Sequence, residues 1–252
     1  MSAASWSTRR VVATFRDYVK ARLDRRYGLV SDIDDLRREV AGEFDVYRKE
    51  LDRLKKRPSG ESSRPGLPDP MAPGDHSIRL EVFRSILEPM KPGRLLDLAT
   101  GHGMFAGIAH ELGWDVTAVD ARTERMPMTA GIEWLQSDLR DYEIGDFDVI
   151  TMLGVFYHLE LKDQLEMLKN CAGTMTILDT HIALRAEVTE GGYEGRFYTE
   201  VPDTPTSSWG NPTSFWPTED SLIRMLHDSG YRFIFKLTPP PMTLDRTWYL
   251  CH

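Results

Sequence analysis

Cysteine is nearly missing from this sequence, with two among 252 residues, Cys171 and Cys251. Two thiols cannot build a disulfide framework or a four-ligand structural zinc site, and they fit incidental residues of a reducing compartment. Long apolar runs are missing too. No window approaches the roughly 18 apolar residues that cross a bilayer, so no membrane partner is expected. The opening segment MSAASWSTRR has no apolar stretch, so a secretory signal is not expected and a cytoplasmic location is. What remains, 41% hydrophobic and 28% charged residues, is the composition of an ordinary globular protein. The length gives room for one full domain and an appendage.

Charge divides the chain. Residues 1–57 hold 15 Lys/Arg and 10 Asp/Glu, a net of +5, whereas the remainder carries a net of −13. A body that acidic repels a phosphate backbone, so nucleic acid is not expected as the substrate. The basic arm reads as helical. Ile33, Leu36, Val40, Phe44, Tyr47, Leu51 and Leu54 recur at steps of three and four, after a candidate cap at Ser31. Gly28 separates this helix from an earlier one over Thr8–Tyr27. Glu43 and Glu50 interrupt the heptad, which leaves two roles open for the arm, homo-oligomerisation or packing on its own chain. Residues 58–74, with five prolines and no apolar period, read as a linker.

From residue 75 to 252 helix and strand signals alternate. Helices are expected at Ser77–Leu87, Met104–Leu112, Lys162–Lys169 and Glu219–Ser229. Strands are expected at Arg94–Ala99, Asp115–Val119, Glu133–Gln136, Phe147–Leu153, Thr174–Leu178, Tyr231–Leu237 and Thr247–Cys251. Such alternation predicts an α/β fold, a doubly wound and mainly parallel sheet of seven strands covered on both faces.

The first strand ends in Asp97-Leu98-Ala99-Thr100-Gly101-His102-Gly103, a glycine-rich turn that lets the backbone approach a ligand before a helix begins. Asp120 closes the next strand, 23 residues after Asp97, where a carboxylate can accept from ribose hydroxyls. Asp138 follows the third strand, suited to an adenine amino group. A dinucleotide site would also fit Gly101-x-Gly103-x-x-Ala106. Against it, Asp97 would face a pyrophosphate, a repulsive pairing, whereas an ammonium attracts it.

Residues 94–158 resemble the motif series of class I S-adenosylmethionine (SAM) dependent methyltransferases. The resemblance implies a Rossmann-like fold with SAM as methyl donor, leaving S-adenosylhomocysteine (SAH). It implies that Asp97 and the backbone of Ala99, Thr100, Gly101 and Gly103 hold the amino-acid end. Asp120, with Ala121, would take the ribose; Asp138 and the Leu139 amide would flank the adenine; Leu153 would pass beside the donor. Ala99 departs from the family pattern, which usually has its first glycine there.

The acceptor must be read elsewhere, beyond the ends of strands four and five. Gly154-Val155-Phe156-Tyr157-His158 resembles the G-V-x-Y-H signature of a methyltransferase subgroup that includes tRNA wobble-uridine carboxymethyl-transferring enzymes. His158 is the candidate general base, against a purely loop-shaping role. Asp179 and His181, two apart on one strand, share a face that suits a divalent metal or an acceptor hydroxyl; no third ligand is evident, so no metal is expected and both are candidates for contact with substrate. Residues 183–217 read as an aromatic lid without helical or strand period, in which Trp209, Asn211, Phe215 and Trp216 are candidate substrate contacts. The expected function is methyl transfer from SAM to a hydroxyl or amine of a polar small molecule, a sugar or natural-product scaffold. The alternatives are a tRNA-modifying methyl or carboxymethyl transferase and a non-catalytic scaffold of the same fold.

Overall fold

The structure, a computed structural model, describes residues 73–200, 208–237 and 245–252, which fall into two units, Met1–Pro89 and Met90–His252. The first contributes one helix, α1 (Pro73–Leu87), starting four residues before the expected Ser77. A proline at the first helical position is tolerated because its missing N–H would find no partner inside the helix. The arm expected over residues 1–57 and most of the linker, 58–72, lie outside the described residues.

The second unit contains a seven-stranded sheet. Its strands are β1 (Arg94–Leu98), β2 (Asp115–Asp120), β3 (Ile132–Gln136), β4 (Val149–Leu153), β5 (Met175–His181), β9 (Ile234–Leu237) and β10 (Arg246–Cys251). They lie in the order β3-β2-β1-β4-β5-β10-β9. All neighbours pair in parallel except β10, which runs antiparallel to both β5 and β9. The order reverses between β1 and β4, and at such a switch point the loops diverge and open a crevice at the carboxyl ends. The fold expected from the alternation is the one observed.

Successive strand residues face opposite ways. Leu96, Leu98, Ile150, Met152, Leu178 and Tyr249 join one buried cluster with Leu168 and Cys171 of α3 (Leu161–Cys171) and with Leu222 and Met225 of α4 (Glu219–Asp228). Asp97, Thr151 and Asp179 sit between them in sequence and face the other side, where Phe105 of α2 (Met104–Glu111) meets Trp248 edge-on. Both cysteines are free and buried, and burial pushes each thiol up to about 12. Among the described residues no helix is long and apolar enough to cross a membrane.

The irregular lid expected over residues 183–217 is instead a second sheet of three strands, β6 (Val188–Glu190), β7 (Tyr193–Thr199) and β8 (Thr213–Pro217). Its register pairs Arg196 with Trp216, Phe197 with Phe215 and Tyr198 with Ser214. Arg196, Tyr198, Ser214 and Trp216 therefore share one face, and Phe197 and Phe215 share the other. Aromatics on both faces conceal the alternation from a hydropathy reading. Gly195 lets the two strands meet there, since a Cβ would lie 2.4 Å from the Trp216 carbonyl oxygen.

The short helical turn Phe156–His158 is fastened from below. Gln164 is fully buried, and its amide Nε2 donates to the carbonyls of Phe156 (2.9 Å), Leu159 (3.3 Å) and Phe215 (2.6 Å). One side chain thus locks the turn that carries His158 onto β8. Substituting Gln164→Met takes the side-chain donor from the Phe215 carbonyl, while those of Phe156 and Leu159 keep the Leu159 and Phe215 amides, and is expected to cost about 1–3 kcal/mol. A loss of that size lowers the melting temperature by several degrees; an unchanged melting temperature contradicts this account.

Candidate active site

The loop between β1 and α2 turns on three residues in the left-handed region, Ala99 (φ 56), Gly101 (φ 57) and Gly103 (φ 66). Glycine adopts that conformation freely, whereas in alanine it costs roughly 1–2 kcal/mol. Ala99 carries this strain because both flanks are tied down. The Thr100 hydroxyl donates to Asp97 Oδ2 and the Thr151 hydroxyl to Asp97 Oδ1, each at 2.6 Å, and Asp97 is buried. The Thr100 amide donates to the Val119 carbonyl at 3.0 Å. Gly103 is demanded twice over, by its φ and by the Trp134 ring, which would lie 2.4 Å from a Cβ.

Asp120 binds the same loop from the neighbouring strand. Its Oδ2 accepts from the Gly101 amide and its Oδ1 from the Arg122 amide, both at 2.8 Å. Asp138 has a parallel arrangement after β3, accepting from the Arg140 amide at 3.0 Å and from that residue's guanidinium in a two-pronged ion pair. Burial alone would raise the Asp138 carboxyl, but the hydrogen bonds from Arg140 hold it below its ordinary value. Leu139 and Leu153 are buried apolar residues at the ends of β3 and β4, and Ala121 lies between Asp120 and Arg122.

The structure brings His158 against a residue that the sequence reading passed over. His158 Nδ1 lies 2.9 Å from Glu200 Oε1. Glu200 is 5% exposed and also accepts from the Ser214 hydroxyl (2.8 Å) and the Ser208 amide (3.1 Å). Burial would push its carboxyl up, yet those hydrogen bonds, led by the one from His158, hold it below its ordinary value. A carboxylate accepts only, so Nδ1 bears a proton, and in the neutral ring the lone pair is on Nε2.

Asp179 and His181 share a face as expected, but Arg246 occupies both. It lies opposite His181 in the β5–β10 register, and its guanidinium grips Asp179 at 2.9 and 3.0 Å. Arg246 Nη1 is 3.1 Å from His181 Nε2. Arginine can only donate, so Nε2 accepts and the ring is neutral with its proton on Nδ1. That atom sits 3.3 Å from Asp245 Oδ2, within ion-pair distance but without hydrogen-bond alignment. Trp216 stacks with His181 and Tyr198, at centroid distances of 4.9 and 5.0 Å and a 16° tilt to each, and the Arg196 guanidinium lies 4.3 Å from its centroid. Tyr157 meets the edge of this stack. Phe215 belongs to the hydrophobic core, facing away from the stack. Asn211 spends its amide on the carbonyls of His158 (3.0 Å) and Thr213 (2.6 Å). Trp209 is half exposed, beneath the Arg122 guanidinium. Among the described residues no group of three or more His, Cys, Asp or Glu could hold a metal ion.

Sequence signals existed for some of the missed residues. Asp120-Ala121-Arg122 and Asp138-Leu139-Arg140 repeat one Asp-x-Arg pattern after successive strands. Nothing local marks Glu200, which reaches His158 only through the pairing of β7 with β8.

Burial, with Arg246 beside it, holds the His181 imidazole down to about 4. Between its ordinary 6.5 and 4, the unfolded chain takes up a proton that the folded site refuses. Stability from this site is therefore full above pH 6.5 and falls by on the order of 2–3 kcal/mol as pH drops toward 4. In His181→Phe, which keeps a ring on Trp216, that part of the melting-temperature slope is expected to vanish. An unchanged slope between the two pH values contradicts the assignment.

A family model described as a methyltransferase domain matches residues 47–234, about three quarters of the chain. No curated protein matches the sequence. Solved structures are similar at low identity. The N-terminal domain of EvdMO1 with SAH bound is 19% identical, with a TM-score of 0.58, over 69% of this chain and 79% of that one. A SAM-dependent methyltransferase of Leishmania major is 13% identical, with a TM-score of 0.54, over 71% and 72%. The glycopeptide N-methyltransferase MtfA complexed with SAM is 16% identical, with a TM-score of 0.50, over 69% and 86%. The strand order with its antiparallel β10, the turn at Asp97–Gly103 and the family match agree, and this chain belongs to the methyltransferase domain family.

Proposed function

We propose that the protein transfers a methyl group from SAM to a hydroxyl of a polar small molecule, a sugar or natural-product scaffold, with His158 as general base. The observation that carries the reading is the His158–Glu200 pair. An amine reacts through a lone pair it already has once neutral, whereas a hydroxyl gains from a base that removes its proton as the bond forms. An imidazole fixed by a carboxylate at Nδ1 is such a base, and its Nε2 receives the proton.

The residues around the turn fit the donor. Left-handed residues at Ala99, Gly101 and Gly103 curve the backbone into a cradle, and carboxylates at the ends of β1, β2 and β3 suit an ammonium, a pair of ribose hydroxyls and an adenine amino group. SAM supplies an activated methyl on a sulfonium, so the protein's share is alignment and proton removal. In this reading Asp97 braces the cradle through Thr100 and Thr151 and lends its negative charge to the amino-acid end. Asp120 offers its remaining lone pairs to the ribose. Asp138 and the Leu139 amide edge the adenine, and Leu153 forms the floor. The stack of Tyr198, Trp216 and His181, with Tyr157 at its edge, makes a wall for the acceptor. Aromatic walls with a few polar groups suit a sugar or a flat ring. The N-terminal domain of EvdMO1, whose fold is similar, was crystallised in the presence of SAH and D-fucose.

The test is SAH release from SAM across a panel of sugars, phenols and amines. A hydroxyl acceptor is expected to turn over, with His158→Ala lowering kcat by about 100-fold or more at unchanged SAH affinity. Glu200→Gln is expected to lower kcat in the same direction. Turnover confined to amines and undiminished in His158→Ala overturns the reading.

A further inference from the structure

Two arginines converge on one short segment. Arg122 follows Asp120 by two residues at the end of β2, and Arg140 follows Asp138 by two at the end of β3, the neighbouring strand. Arg122 Nη2 donates to the Ser208 carbonyl at 3.2 Å, and its guanidinium covers the Trp209 ring at 5.1 Å. Arg140 Nη2 donates to the Trp209 carbonyl at 2.9 Å. The backbone of Ser208 and Trp209 is therefore tied to the arginine bonded to each of the two carboxylates assigned above to ribose and adenine.

The other side of the same segment reaches the base. The Ser208 amide donates to Glu200 Oε2 at 3.1 Å, the Ser208 hydroxyl donates to Asn211 Oδ1, and Asn211 Nδ2 donates to the His158 carbonyl at 3.0 Å. Four consecutive residues thus touch the arginines that flank the donor and both members of the proton-accepting pair. The Trp209 indole, 51% exposed, is a large apolar surface beside the Arg122 guanidinium.

We propose that Arg122 is a positioning residue for the reaction: through Ser208–Asn211 it holds Glu200 on His158, and this hold tightens when the adenosine half of the donor binds at Asp120 and Asp138. The inference rests on the donor assignment made above. Donor binding gives Arg122 and Trp209 a ligand surface to close on, and the Ser208 amide transmits their position to Glu200. The base is then best oriented only with donor in place, so donor binding precedes productive acceptor binding.

The experiment uses the full chain with SAH as probe. The His158 Nδ1 proton is followed by NMR, identified by its loss in His158→Asn, and its exchange with solvent is compared with and without saturating SAH. In the wild type SAH is expected to slow that exchange about tenfold, a usual size for coupling between two sites. In Arg122→Ala, which keeps the main-chain N–H to Asp120, SAH still binds but the slowing is lost. Arg122→Lys, which retains a cation within reach of the Ser208 carbonyl, restores part of it. Tryptophan emission changes with SAH in the wild type and not in Trp209→Phe. If Arg122→Ala slows as the wild type does, or if SAH binds the wild type without slowing exchange, the positioning role is wrong while the donor assignment stands. If SAH does not bind the wild type, the donor assignment falls, and this inference with it.

Discussion

Two carboxylates hold a strained turn in place, and the site depends on that restraint. Residues 99–103 place an alanine and two glycines in the left-handed region, a conformation that a free loop would leave. Asp97 grips the turn from β1 through Thr100, and the Thr151 hydroxyl of β4 fixes Asp97 in return. Asp120 reaches in from β2 to the Gly101 amide. The turn is thus tied to three adjacent strands, so its shape is set by the register of the sheet. The strain at Ala99 persists because the surroundings determine it.

The base of the proposed reaction is held by a different device. Glu200 comes from the accessory sheet and meets His158 on a turn that Gln164 locks to β8. The serine contacts from Ser208 and Ser214 keep Glu200 an acceptor, which leaves Nε2 of His158 to face substrate in the proposed reaction. His181, although close by, is spent: Arg246 uses its Nε2, and burial, with Arg246 beside it, holds the ring neutral. The two histidines thus differ at Nε2: in His181 a guanidinium occupies it, whereas in His158 the carboxylate partner sits at Nδ1.

The doubly wound sheet was legible because buried parallel strands read as apolar runs separated by helical periods. Asp97, Asp120 and Asp138 were legible because they lie within, at the end of and just after three successive strands. The accessory sheet was not, since Phe197 and Phe215 on one face and Tyr198 and Trp216 on the other erase the alternation that marks a half-buried strand. Phe215 consequently stood out as a lid aromatic, whereas the structure puts it in the core. Glu200 and Arg246 act through cross-strand neighbours, 42 residues from His158 and 67 from Asp179, and no local pattern encodes such pairs. The acidic partner of His158 had to be seen in three dimensions.

Calorimetric titration with SAH tests the central claim, that the Asp97–Gly103 turn and Asp120 form the donor site. The wild-type chain is expected to bind one SAH, and Asp120→Ala to bind it more than about tenfold more weakly, the worth of a charge-assisted hydrogen bond of roughly 1.5–3 kcal/mol. Equal affinity in the two proteins, or no binding to either, would contradict it.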